Sequence, residues 1–203
     1  MYNRKLTANR ALTVGRFQPL HTGHMEIFKK ALDDGYTEMV VAIGSAEKAH
    51  HYEDPFTCSE RIEIIDAALK DLNRRRHNGR SFDHYHIMGV RDIGDDELWV
   101  PHLVRYVPRF DAVYVGNPRV RYLFEMENRK LGNDAYNIVD MGRTLLRNYR
   151  KNPSEPIETS GTLIRKLMAE GDETWKDLLP GPAVSKVVEF DGPERLRRLS
   201  KMD

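Results

Sequence analysis

Apolar residues fall into two alternating patterns along the chain. Short runs, Ala11–Gly15 (ALTVG), Met39–Gly44 (MVVAIG), Tyr85–Val90 (YHIMGV), Ala112–Gly116 (AVYVG) and Tyr136–Val139 (YNIV), are separated by segments in which apolar positions recur every three to four residues. The second and fourth runs are nearly continuous, as expected of parallel strands covered on both faces. Between the runs, Met25, Ile27, Phe28, Ala31 and Leu32 share one helical face, and Ile62, Ile65, Leu69 and Leu72 form another. The second stripe opens with TCSE, a capping box with Thr57 as N-cap and Glu60 reaching back. Asn117-Pro118 predicts an N-cap and a first helical proline before Val120, Leu123 and Phe124. Strand–helix alternation predicts an α/β fold, a doubly wound parallel five-stranded sheet with helices on both faces. Residues 1–203 read as one domain: an α/β core over about 11–170 and a C-terminal helical extension over about 171–203.

Ligands of such sheets bind beyond the carboxyl ends of the strands. Three of the predicted strands end in glycine followed by a polar residue: Gly15-Arg16, Gly44-Ser45 and Gly116-Asn117. The stretch TVGRFQPLHTGHMEIFKKAL then places His21 and His24 where a helix begins near Gly23. A helix N-terminus offers free N–H groups and the positive end of a dipole, and Arg16 adds a planar fork suited to phosphate. Two imidazoles, a guanidinium and a helix end together fit a polyanion. A His-x-x-His pair also suits a metal, but no Cys, Asp or Glu follows at ligand spacing and the neighbouring Arg repels cations. A nucleophilic histidine forming a phospho-enzyme is the other alternative. Neither a GxxxxGK[ST] loop nor a GxGxxG fingerprint is present.

Composition narrows the partners. The net charge is +1, which gives no bulk electrostatic case for nucleic acid or membrane. The basic run Asn73–Ser81 lacks interleaved aromatics and reads as a solvated loop. A single cysteine, Cys58, leaves no internal disulfide, and the first residues lack a secretory signal, so a cytoplasmic protein is expected. Met141–Gly161 is long, with a polar and proline-punctuated second half, and reads as a functional loop.

Four ordered blocks carry a resemblance. GRFQPLHTGH, GSAEKAHHYEDPFTCSER (Gly44–Arg61), DIGDDELWVPHL with VPRFDAVYVGNP, and SGTLIRKLM (Ser160–Met168) together resemble the archaeal-type nicotinamide-nucleotide adenylyltransferases of the HxGH nucleotidyltransferase superfamily. The likeness runs from about Ala11 to Leu199. It implies a Rossmann-like domain in which the 5′-phosphate of nicotinamide mononucleotide (NMN) attacks the α-phosphorus of ATP, giving NAD and pyrophosphate without a covalent enzyme intermediate. On this resemblance His21, His24, Arg16 and Arg165 are the catalytic groups. Gly15, Phe17, Gln18, Gly23, Ser160, Gly161, Thr162, Gly116 and Asn117 would bind ATP and its phosphates. Trp99, Asp92, Ser45 and Arg61 would serve the nicotinamide nucleotide, Trp99 by stacking on the cationic pyridinium and Arg61 by anchoring either a loop or a phosphate.

Departures from the family pattern include Glu47 for a common glutamine, Glu53 for a basic residue of several relatives, and Gly94 and Asp96 for asparagines. ATP implies Mg²⁺ carried by phosphates and water, with no protein ligands, and the resemblance suggests a homo-oligomer. The alternatives are adenylyl or cytidylyl transfer to another acceptor, such as nicotinate mononucleotide or phosphopantetheine, and a non-catalytic nucleotide- or RNA-binding regulator.

Overall fold

The five apolar runs are the strands of one parallel sheet in the computed structural model, which describes residues 9–132, 135–142, 145–147 and 156–202. Strands β1 (Arg10–Gly15), β2 (Glu38–Ile43), β3 (His84–Gly89), β4 (Ala112–Val115) and β5 (Asn137–Asp140) stand in the order β3-β2-β1-β4-β5. Gly15 pairs with Ile43 and Ile43 with Gly89, so three strands finish level along one edge. The order reverses between β1 and β4, where Thr13 stands opposite Tyr114. That reversal is the switch point at which open α/β sheets bind ligands.

Period-two alternation splits the core in two. Ala11, Met39, Val41, Ile43, Ala112 and Tyr114 pack with α1 (Thr22–Asp33), α2 (Cys58–Arg75) and α5 (Gly161–Glu170). The opposite strand faces, with Leu12, Val14, Val40, Ala42, Val113 and Val115, pack on α3 (Asp96–Tyr106) and α4 (Pro118–Leu131). A 3₁₀ turn (Glu173–Leu178), α6 (Gly181–Glu189) and α7 (Gly192–Leu199) follow, and Trp175, Ala183, Val187 and Leu196 enter the first of these cores. The C-terminal helices are therefore part of the sheet's cover. Fully burying side chains of this size contributes roughly 1.5–3 kcal/mol each.

The predicted caps are made. Thr57 Oγ1 accepts from the Glu60 N–H at 3.2 Å while the Thr57 N–H donates to Glu60 Oε2 at 2.8 Å. Asn117 Oδ1 accepts from the Arg119 N–H, and Ser160 Oγ from that of Leu163. In α5 the buried face holds Ile164, Arg165 and Met168, whereas Leu163 and Leu167 are half-buried.

Two segments differ from the loops expected. α2 continues through Arg75, because Asp71 pairs with Arg74 and Arg75 one turn on and supports the last turn of the helix. Beyond it the Arg80 guanidinium donates to the carbonyls of Leu32 and Asp33, both at 2.7 Å, and covers the C-terminal end of α1. Within Met141–Gly161, β6 (Leu145–Arg147) and β7 (Pro156–Glu158) pair antiparallel with Leu146 opposite Ile157. Three-residue strands are too short for hydrophobic periodicity to reveal.

Helix α7 reaches back to the segment that precedes α2. Arg195 forms a bidentate pair with Glu60 at 2.7 Å for both bonds, donates to the Pro55 carbonyl at 3.0 Å and lies over the Phe56 ring. Gly192 permits the approach, since a Cβ there would stand 2.9 Å from Phe56 and 2.8 Å from Val187.

Candidate active site

At the switch point lies a cleft of about 380 Å³, floored by Val14 and Gly15 of β1 and by Gly116 beyond β4. Three helices aim their N-termini into it: α1 through His21, Gly23 and His24, α4 through Asn117 and Pro118, and α5 through Ser160, Gly161 and Thr162. First-turn N–H groups lack intrahelical partners, so three positive dipole ends meet in one volume.

The turn after β1 is shaped from beneath. Phe17 adopts φ +52°, a left-handed conformation uncommon outside glycine, and its ring is buried. A Cβ at Gly15 would stand 3.2 Å from that ring, which is why the strand ends in glycine. Gln18 is also buried, and its side-chain amide pairs with both backbone groups of Phe56, each bond 2.9 Å. Gln18, expected at ATP and its phosphates, lines the cleft, and its side-chain amide ties the His21 loop to the segment before α2.

The two imidazoles lie against each other at a tilt of 35°, with ring centroids 3.8 Å apart, and the His24 ring centroid lies 4.6 Å from that of Phe17. His24 Nδ1 accepts from the His21 backbone N–H at 3.2 Å. The proton of neutral His24 therefore sits on Nε2, which is a donor. Burial pushes the His21 pKa down to about 4. Burial, and then the neighbouring His21, hold His24 well below the ordinary histidine range. Both rings are neutral at pH 7, and the buried Nδ1 of His21 has no hydrogen-bond partner.

Arg165 is 1% exposed and forms the wall opposite. Its Nη1 donates to the Gln18 carbonyl at 3.0 Å, and its Nη2 to Glu53 Oε2 at 2.8 Å and Thr162 Oγ1 at 3.3 Å. Its buried Nε is unpartnered. Burial lowers its pKa and Glu53 opposes that shift; a guanidinium remains charged throughout. Arg16 is half-exposed, with Nη1 3.4 Å from Asp54 Oδ1. Sequence reasoning did not anticipate Thr159, whose buried hydroxyl has no partner in the cleft wall, nor Met141 and Gly142 beside it. A lone threonine before a helix cap carries no such signal.

The residues read as serving the nicotinamide nucleotide do not line this cleft. Ser45 Oγ donates to Asp92 Oδ2 at 2.8 Å, and Lys48 Nζ binds the same oxygen at 2.9 Å, beyond the ends of β2 and β3. Burial raises the Asp92 pKa, but these two partners outweigh it and hold the carboxyl below its usual value. Trp99 is half-buried on α3, its ring edge-on to Phe124 with centroids 6.3 Å apart. Arg61 is fully buried and donates to the carbonyls of Arg16, Gly44, Ser45, Ala46, Lys48 and Thr57 at 3.0–3.4 Å. Of the two roles expected of it, anchoring a loop or a phosphate, this geometry fits the loop.

Among the described residues no group of three or more His, Cys, Asp or Glu is placed to hold a metal ion. The cleft is a set of N–H, guanidinium and hydroxyl donors, which fits an anion that brings its own cation. No described helix is long and apolar enough to cross a membrane.

Comparison with known proteins agrees with this chemistry. The profile of the cytidylyltransferase-like family matches residues 12–167. The chain is 37% identical over 195 residues to nicotinamide-nucleotide adenylyltransferase of Methanococcus vannielii, covering 96% of each chain. It is 38% identical over 195 residues to that of Picrophilus torridus, covering 96% of this chain and 99% of the relative. Among solved structures, a Francisella tularensis bifunctional NMN adenylyltransferase/ADP ribose pyrophosphatase with AMP and a manganese ion superposes at TM-score 0.61 and 15% identity. The match covers 94% of this chain and 51% of that longer protein. Plasmodium falciparum nicotinic acid mononucleotide adenylyltransferase superposes at TM-score 0.59 and 11% identity, covering 91% and 96%. At such identities the two structures speak for the fold.

Proposed function

Because this chain belongs to the cytidylyltransferase-like family, among its nicotinamide-nucleotide adenylyltransferases, we propose that it transfers AMP from ATP to NMN, forming NAD and pyrophosphate. One observation carries the reading. His24, His21, Arg165 and three helix N-termini meet in a single cleft at the sheet's switch point.

A phosphate oxygen of NMN forms a bond to the α-phosphorus of ATP, and the bond from that phosphorus to the bridging oxygen of the β-phosphate breaks. Pyrophosphate leaves with the electron pair. No acid or base is required to create the nucleophile, so the protein's work is alignment and stabilisation of charge on the leaving group. His24 Nε2–H suits a phosphate oxygen as a neutral donor, and the N–H groups of Gly161 and Thr162 suit the terminal phosphates. Arg165, itself buried, supplies fixed positive charge, which acts more strongly there than it would in water. A divalent cation, which we take to be Mg²⁺, enters with ATP and neutralises part of the triphosphate charge. Its ligands are then the phosphates and water, as is usual for Mg²⁺ carried by a nucleotide.

For the acceptor, Trp99, Asp92 and Ser45 are the residues we assign to NMN. We further infer one catalytic unit that includes the C-terminal helices, a cytoplasmic enzyme and a homo-oligomeric assembly. The packing of Trp175, Val187 and Leu196 into the sheet's core supports the first of these. The test is incubation of the purified protein with ATP, Mg²⁺ and a panel containing NMN, nicotinate mononucleotide and phosphopantetheine. NAD and pyrophosphate should form in equal amounts with NMN. Formation of product with phosphopantetheine alone, or ATP binding without turnover on any acceptor, would defeat the proposal.

A further inference from the structure

The acidic pair Glu53-Asp54 plays no part in the chemistry above, yet it contacts both arginines of the cleft. Asp54 is 6% exposed and tied into its turn, with backbone bonds exchanged with His51, so its approach to Arg16 is fixed. Glu53 is different. Its side chain is 62% exposed, while the Arg165 side chain that it pairs with is 2% exposed. The bond falls on Arg165 Nη2, the nitrogen also in contact with Thr162 Oγ1 of the cleft wall. Nη1 is committed to the Gln18 carbonyl, and Nε is buried without a partner.

A buried guanidinium must have its donors met by hydrogen-bond acceptors or a counter-charge, and Arg165, with one carbonyl and a partnerless Nε, has far fewer carbonyl acceptors than Arg61. Among the described residues, Glu53 is the carboxylate ion-paired to Arg165. The same nitrogen contacts Thr162 Oγ1 in the wall of the cleft read above as a polyphosphate site, so the two anions compete for one cation. A polyphosphate brings more charge and finds several protein donors there, whereas Glu53 has a solvated route of retreat.

We propose that Glu53 is the resident counter-ion of Arg165, holding its place until a nucleotide polyphosphate displaces it, and thereby lowering the affinity of the site for phosphate-bearing ligands. This inference rests on the cleft binding the triphosphate, though not on which acceptor follows. The carboxylate keeps Arg165 charge-balanced between turnovers, and its exchange makes binding of the polyphosphate part of the same event that frees Nη2.

The test is calorimetric binding of ATP, pyrophosphate and adenosine to the full chain and to its Glu53→Gln variant at pH 7.5. An exposed pair to a buried partner predicts that Glu53→Gln tightens ATP and pyrophosphate about three- to tenfold. Adenosine, which lacks phosphate, should bind both proteins alike. Glu53→Asp, with the charge kept but the reach shortened, should fall between the two. Unchanged or weaker ATP binding by Glu53→Gln would overturn the inference, as would an equal gain for adenosine. Should Glu53→Gln unfold, Glu53→Ala is read in the same way, since the exposed side chain leaves room for either. Tighter ATP binding in a protein that makes no NAD would leave this inference standing and defeat the choice of acceptor.

Discussion

Lowering the pH should destabilise this protein through His21 before its carboxylates matter. In the folded chain burial holds the His21 pKa at about 4, and in the unfolded chain the imidazole returns to about 6.5. The unfolded state therefore binds more protons between those values. The stabilisation is complete above the unfolded pKa and is lost as pH falls toward the folded one. At pH 5 a free imidazole is almost wholly protonated, while the folded His21 is protonated only about one time in ten, so the loss from pH 7 to pH 5 is about 2 kcal/mol for this residue. His24 adds to it with the same sign. Carboxylates that are held low, such as Glu60 and Asp92, titrate at lower pH and fall outside the window. Urea unfolding followed by the fluorescence of the buried Trp175 gives the free energy at each pH. His21→Gln cannot titrate, so its free energy should fall by about 2 kcal/mol less than that of the parent over the same interval. An identical loss in both proteins would refute the assignment of a half-buried, neutral imidazole.

Three further outcomes are expected. His24→Ala and Arg165→Ala should each depress kcat about 100-fold or more, as when a transition-state donor is removed, and steady-state NAD formation checks this. Arg61→Lys should cost about 3 kcal/mol or more in urea unfolding, because one ammonium cannot replace donors to six carbonyls and leaves several of them buried and unpaired. Gly161→Ala should raise the KM for ATP and lower the unfolding free energy by about 1–3 kcal/mol, read by steady-state NAD formation and urea unfolding. Its Cβ would stand 3.0 Å from the Gln18 carbonyl and 3.1 Å from Arg165 Nη1, which forces apart the bond that seats Arg165.

The sheet and the convergence of helix starts on one cleft were legible in sequence because their signals are local. Continuous apolar runs such as Met39–Ile43 mark strands covered on both faces, and Thr57, Asn117 and Ser160 announce helix starts within four residues. What lay hidden depends on contacts across the chain. The ion pair of Glu53 with Arg165 spans 112 residues, and Gln18 meets Phe56 across 38. Arg61 reads as one more polar position in α2, and only the convergence of several loop carbonyls around it reveals a clamp. Trp99 shows the reverse case. Its resemblance to a stacking residue was plain, while its contact with the edge of Phe124 could not be foreseen from spacing.

The brace from α7 to the segment before α2 has a consequence for biosynthesis. A chain emerging from the ribosome carries Arg16 and the paired imidazoles early, but Arg195, which secures Pro55 and Glu60, is added more than a hundred residues later. Until that helix docks, the turn bearing Glu53 and Asp54 lacks its outer support. The turn whose carboxylates meet both arginines of the cleft is thus braced only after α7 has been made.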